Sequence, residues 1–155
     1  MRGKKKTPKR NILPDPKYNS VVLSRFINKI MERGKKTVAR KIVYQALAVI
    51  ADTTKQDPLE VFDLAMKTVA PQVEVRGRRV GGGNYQVPVE VRGERKQTLA
   101  MRWLIQAFRA KTGRASHLKL AEELMLAAKG EGDAIKKKQD VHRMAESNRA
   151  FAHFA

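Results

Sequence analysis

Cysteine is absent from this chain, so neither a disulfide nor a thiolate metal cage can contribute to it. Acid is scarce as well: 15 Asp and Glu stand against 33 Lys and Arg over 155 residues, a formal charge of +18. A surplus of that size repels itself, and its usual compensation is a polyanionic partner, nucleic acid first and an anionic membrane second. Long apolar runs are missing too. Nothing approaches the ~20 residues of a membrane-spanning helix. The cationic start MRGKKKTPKRNILPDPKYNS leads into no apolar stretch, which argues against a secretory signal. The expectation is a soluble intracellular protein that meets a polyanion.

What is present suffices for one domain over residues 1–155, with 42% hydrophobic residues to build a core. Residues 1–18 form a basic extension, interrupted by Pro8, Pro14 and Pro16, that is expected to order on nucleic acid. From Ser20 the apolar residues recur at helical steps: Val22, Leu23, Phe26, Ile27, Ile30 and Met31, with Gly34 as the stop. A second helix carries Val38, Ile42, Val43, Ala46, Leu47 and Ile50. Cations crowd its beginning (Lys35, Lys36, Arg40, Lys41), where they oppose the helix dipole and so are not placed for stability. Asp57-Pro58 opens a third helix as cap and first turn, with Glu60 completing a capping box.

Over residues 72–92 the period changes from 3.6 to 2. Val73 and Val75 precede the glycines; Tyr85, Val87, Val89 and Val91 follow them. Two such runs around Gly81-Gly82-Gly83-Asn84 predict a β-hairpin arm whose valine face packs partly on the helices. Three more helices are expected at about 95–111, 117–129 (cap Ser116) and 134–151 (cap Asp133). The fold class is mainly α: a six-helix domain with an inserted, protruding two-stranded β-hairpin arm.

The glycine triplet invites a nucleotide-pocket reading, which fails. A phosphate loop opens a helix, whereas Gly83 leads into strand. An arm fits better: Arg76, Arg78 and Arg79 ascend it, Arg92 and Arg95 sit at its base, and glycine at the tip lets backbone approach a sugar-phosphate chain. Tyr85 offers a stacking surface for a base. In the fourth helix Arg95, Thr98, Arg102, Gln106 and Arg109 form one narrow stripe on an otherwise apolar element. The last helix distributes Lys136, Lys137, Lys138, His142, Arg143 and Arg149 over its outer faces. Chemistry finds no foothold. His117, His142 and His153 lack metal-ligand spacing, Glu122 and Glu123 point to different faces, and no serine sits in a nucleophile elbow. Neither enzyme activity, cofactor nor metal is expected. An architectural DNA protein is the main rival, though such arms wedge an apolar residue near the tip and this tip is glycine. A basic membrane module would expose Trp or Phe beside lysines, whereas Trp103 lies in an apolar arc.

Four stretches together resemble a known family: KRNILPDPKYNS, RRVGGGNYQVPVEVR, LAMRW and KKKQDVHRMAESNRAFAHF, in that order through nearly the whole chain. They are similar to the bacterial form of ribosomal protein seven of the small subunit, from which the extreme N-terminus departs in wording. The resemblance implies a structural constituent of the 30S subunit, a primary binder of the 3′ major domain of 16S ribosomal RNA that nucleates head assembly. It also implies a position by the messenger RNA exit path and the exit-site transfer RNA, with ribosomal proteins nine, eleven and thirteen as neighbours. The implied location is cytoplasmic, in the ribosome, a plastid or mitochondrial origin being left open. On this analogy Arg78, Arg79, Gly81, Gly82, Gly83, Tyr85, His142, Arg143 and Arg149 lie near transfer and messenger RNA. Ribosomal RNA is lined by the tail residues Arg2, Lys4, Lys5, Lys6, Lys9 and Arg10, and by Lys35, Lys36, Arg76, Arg92, Arg95, Arg102, Arg109, Arg114, Lys119, Lys136, Lys137 and Lys138.

Overall fold

The computed structural model describes residues 11–154. Six α-helices and one antiparallel β-hairpin follow in the expected order: α1 (Val21–Ile30), α2 (Lys36–Thr54), α3 (Pro58–Val69), β1 (Val73–Val80), β2 (Gly83–Glu90), α4 (Gly93–Ala110), α5 (Ser116–Ala128) and α6 (Asp133–Ser147). A 3-10 helix, Arg149–Phe154, closes the described chain. The mainly α fold with a hairpin arm is therefore the observed one.

Local signals account for most boundaries. The Ser20 hydroxyl accepts the Leu23 N–H at 3.2 Å and starts α1. The Asp57 carboxylate accepts the Leu59 N–H at 2.9 Å, with Pro58 at the first position of α3. Helix α2 begins behind Lys35 with no side-chain cap. Two caps differ from expectation. Ser116 is itself the first residue of α5, behind Ala115. Asp133 likewise lies inside α6, whose Ala134 N–H is instead accepted by the Glu123 carboxylate of α5 at 3.0 Å. A cap supplied from another helix leaves no signature at the capped end.

The core joins Leu23, Phe26 and Ile27 of α1 to Leu47 and Ile50 of α2, Phe62 and Val69 of α3, Leu104 of α4, Leu120 and Leu124 of α5 and Ala134 of α6. Helix α5 is central, packing on α2, α3 and α4. Trp103 is buried, as its apolar arc predicted. Burying roughly 1.5–3 kcal/mol of apolar side chain at each such position is what holds the helices together.

The arm is where register matters. Val73 pairs with Glu90, Arg76 with Val87, Arg78 with Tyr85 and Val80 with Gly83, so the turn is only Gly81-Gly82. Both have positive φ, 55° and 87°, as a two-residue hairpin turn of the I′ type requires. Directly paired residues share a face. Val73 and Val75 therefore lie with Glu90 and Pro88, while Tyr85, Val87 and Val89 lie with Arg78, Arg76 and Glu74. The single valine face expected from sequence does not exist, because this register sets the valines of the two strands on opposite sides. Val87 is fully buried, β1 packs on α6, and β2 packs on the terminal 3-10 helix.

Candidate nucleic-acid interface

Helix α4 buries Leu99, Met101, Trp103, Leu104, Ile105 and Phe108 and leaves Arg95, Arg102, Gln106 and Arg109 exposed. Its open stripe does not stand alone. Helix α1 buries Leu23, Phe26, Ile27 and Ile30, and its outer side carries Arg25 and Lys29, one turn apart. The two helices form a groove in which Lys29 faces Arg102, Gln106 and Arg109; Arg25 and Asn28 continue it beside Gln97 and Thr98. Arg25, Lys29 and Arg102 have no acidic partner within 4 Å among the described residues. Sequence reading missed Arg25 and Lys29. Their four-residue spacing was visible, but only the packing of α1 on α4 gives it meaning.

Several other expected cations are tied to the protein itself. Glu74, almost buried in β1, takes hydrogen bonds from Arg76 and from Arg95 at 3.1 Å. Burial alone would push its carboxyl up, but these two guanidinium groups outweigh burial and hold it below the usual carboxylate value. Arg109 donates to the Ile30 carbonyl at 3.0 Å and pairs with Glu32 at 2.8 Å. Lys119 donates to the Lys111 carbonyl at 2.8 Å, and Lys138 to the Thr68 carbonyl at 2.6 Å, each at the C-terminal end of a helix. Arg114 lies 3.7 Å from Glu122, and Lys136 lies 3.3 Å from Asp133. Arg143 pairs with Asp140 at 3.8 Å and Arg149 with Glu146 at 3.4 Å, both loose surface pairs of little energetic weight.

By contrast Lys35, Lys36, Arg78, Arg79, Arg92 and Lys137 are exposed and lack an acidic partner among the described residues. Arg40, half-buried near Lys36, keeps an Nε that no group of the described chain accepts. The tail residues Arg2, Lys4, Lys5, Lys6, Lys9 and Arg10 lie outside the described residues.

The arm's special residues carry internal duties. The Tyr85 ring packs on Phe151 and Phe154 of the 3-10 helix, with centroids 5.2 and 5.4 Å away. It also lies over Gly83, where an added Cβ would come within 2.9 Å of the ring. Gly83 thus makes room for an aromatic of its own chain, while Gly81 and Gly82 supply the turn. His142 accepts the Gln72 N–H through Nε2 at 3.2 Å, joining α6 to the root of the arm. Burial, then the Lys138 charge, lowers its pKa and favours the neutral ring that can accept this bond.

Among the described residues no cluster of three or more His, Asp or Glu could hold a metal ion, and no helix is long and apolar enough to cross a membrane. The geometry is a set of fixed and free cations around grooves.

Comparison with known proteins gives one consistent match. The family described as ribosomal protein S7p/S5e matches residues 2–149. The chain is 56% identical over 147 residues to the small ribosomal subunit protein uS7 of Pelotomaculum thermopropionicum, covering 95% of this chain and 94% of that one. It is 57% identical over 147 residues to the protein of the same name from Carboxydothermus hydrogenoformans, with the same coverage. Against that of Xanthobacter autotrophicus it is 54% identical over 154 residues, 99% of each chain.

Proposed function

The chain belongs to the S7p/S5e family of ribosomal proteins, and on that footing we propose that it is an RNA-bound structural constituent of the small ribosomal subunit that binds without performing a reaction. Its finer role in this reading is that of a primary binder of the 3′ major domain of 16S ribosomal RNA, nucleating assembly of the head. The observation that carries the reading is the α1–α4 groove, where Arg25, Lys29 and Arg102 have no acidic partner within 4 Å among the described residues, although Glu94 also lines it. All three stand on helices whose other sides are in the core. Cations without carboxylates and without a structural duty are what a phosphate backbone needs. The body would hold ribosomal RNA along α1, α4 and the start of α2. The arm tip, with Arg78 and Arg79, and the outer side of α6, with His142, Arg143 and Arg149, would border exit-site transfer RNA and the messenger exit path. Ribosomal proteins nine, eleven and thirteen would be its neighbours, and the ribosome of the cytoplasm its location.

Binding of the full chain to a 3′ major domain transcript, measured at several salt concentrations beside an unrelated RNA and a DNA duplex, tests the reading. Preference for the transcript, with log affinity falling against log salt, is expected. Equal or tighter binding to the DNA duplex would instead support an architectural DNA protein. Arg78→Ala with Arg79→Ala should leave transcript affinity within about threefold while weakening exit-site contacts in assembled subunits. Loss of head assembly in that variant would overturn the division between body and arm.

A further inference from the structure

A second groove opens where the end of α1, the first turns of α2, the end of α4 and the start of α5 converge. Its apolar floor is lined by Ile30, Val38, Ala39, Ile42 and Phe108, of which Val38 and the half-buried Ile42 are the accessible members. Val38 is 53% exposed, although the next residue of α2, Ala39, is buried in the core. A lone exposed valine would be ordinary; this one lies among three cations, Lys35, Arg109 and Lys119, with Glu32 the only carboxylate lining the groove among the described residues. Two of those cations are held in place. Lys119 is bound to the Lys111 carbonyl and Arg109 to the Ile30 carbonyl and to Glu32, so neither swings freely in solvent. Lys35 has no acidic partner within 4 Å among the described residues.

Such a combination is selective about its occupant. Double-stranded RNA presents phosphates and sugars, with the base faces stacked inside, and would leave the floor in contact with water. A basic peptide segment is repelled by the rim. An unpaired nucleotide satisfies both parts at once, its base face covering the apolar floor and its phosphates meeting the cations. We propose that this groove seats one unstacked nucleotide of RNA, with the base on Val38 and Ile42 and the flanking phosphates on Lys35 and Lys119. The inference rests on the RNA-binding reading above and deepens it, adding a base-contacting subsite to an interface otherwise argued from charge.

Neutral substitutions of Val38 separate base contact from charge. With the 3′ major domain transcript, Val38→Gln in the full chain should bind about five- to tenfold more weakly, and Val38→Leu within about twofold of the unmodified protein. Both should keep the salt slope, since neither removes a phosphate contact, whereas Lys119→Gln should lower that slope by about one. Unrelated duplex RNA should not distinguish Val38→Gln from the unmodified chain, and thermal unfolding of both should coincide. A photoreactive amino acid at position 38 in assembled subunits should join to an unpaired nucleotide. Undiminished transcript affinity in Val38→Gln, an equal loss on duplex RNA, or a cross-link to protein would overturn the groove assignment alone. Failure of the unmodified chain to prefer the transcript would overturn the RNA-binding reading, and the groove with it.

Discussion

Glu123 is completely buried, and two partners explain how the core tolerates it. Its Oε1 accepts the Ala134 N–H; the Lys111 ammonium lies 2.9 Å from Oε2 as an ion pair, without the alignment of a hydrogen bond. Gly132 makes this possible: its φ is 96°, and a Cβ there would come within 2.9 Å of Oε1. Removing the carboxylate strands a helix N–H and leaves the half-buried Lys111 ammonium only the more distant Glu122, 3.7 Å away. Glu123→Ala should therefore cost on the order of 3–5 kcal/mol by urea denaturation, with Glu123→Gln recovering part because the amide oxygen still accepts. A loss under about 1 kcal/mol would mean that water replaces the carboxylate without difficulty. Glu74 makes a different prediction. Its pKa is depressed, so its contribution is complete above the ordinary 4.5 and is lost as pH falls through the lower folded value. The stability gap between the unmodified protein and Glu74→Gln should be widest near neutral pH and close on acidification; a gap independent of pH would contradict the pairing with Arg76 and Arg95.

A two-stranded ribbon is marginal by itself, and this one is held from two directions. At its root the Val91 N–H donates to the Gln72 carbonyl at 2.9 Å, and His142 of α6 accepts the Gln72 N–H. Nearer its tip, Phe151 and Phe154 clasp Tyr85, so the terminal 3-10 helix acts as a brace for β2. Replacing both phenylalanines by Ala should speed hydrogen exchange of the Tyr85 and Val87 amides about tenfold or more while leaving α5 amides unchanged. Equal acceleration in α5 would show that the aromatics support the whole fold rather than the arm. The brace also bears on function, because an arm fixed before it meets RNA loses less entropy on binding than one that must be ordered.

Over the whole molecule the charges divide into two populations. Some cations anchor helix ends or buried carboxylates; others, led by Arg25, Lys29 and Arg102 in the α1–α4 groove, have no such task among the described residues. Affinity for RNA should follow the second population, joined by Lys119, whose anchored ammonium also lines the groove between α2 and α5. Arg25→Gln with Lys29→Gln should reduce the salt slope by about two, and deletion of residues 1–10 by a few units more. An unchanged slope in the first variant would remove the groove from the interface, and in the second would mean that the tail stays in solvent. Arg25 and Lys29 are exposed and outside the core, so thermal unfolding should be nearly unaffected in the first variant.

Much of this was legible along the chain, for a physical reason. Helix periodicity, the Ser20 and Asp57 caps, the glycine turn and the apolar arc of α4 all arise from residues a few positions apart. The order of elements, most of the core, the open arginine stripe and the family likeness therefore came from sequence. The interface was only half legible. Whether Lys119 or Arg102 is available depends on what lies across from it, and Arg25 gains its role only when α1 meets α4. The elements, the apolar faces and the surplus of positive charge could be read along the chain, because these are properties of local spacing and composition. Which cations are anchored, how the valines of the arm divide between two faces, and that a carboxylate of α5 caps α6 emerge with packing alone, because each depends on distances between residues far apart in the chain.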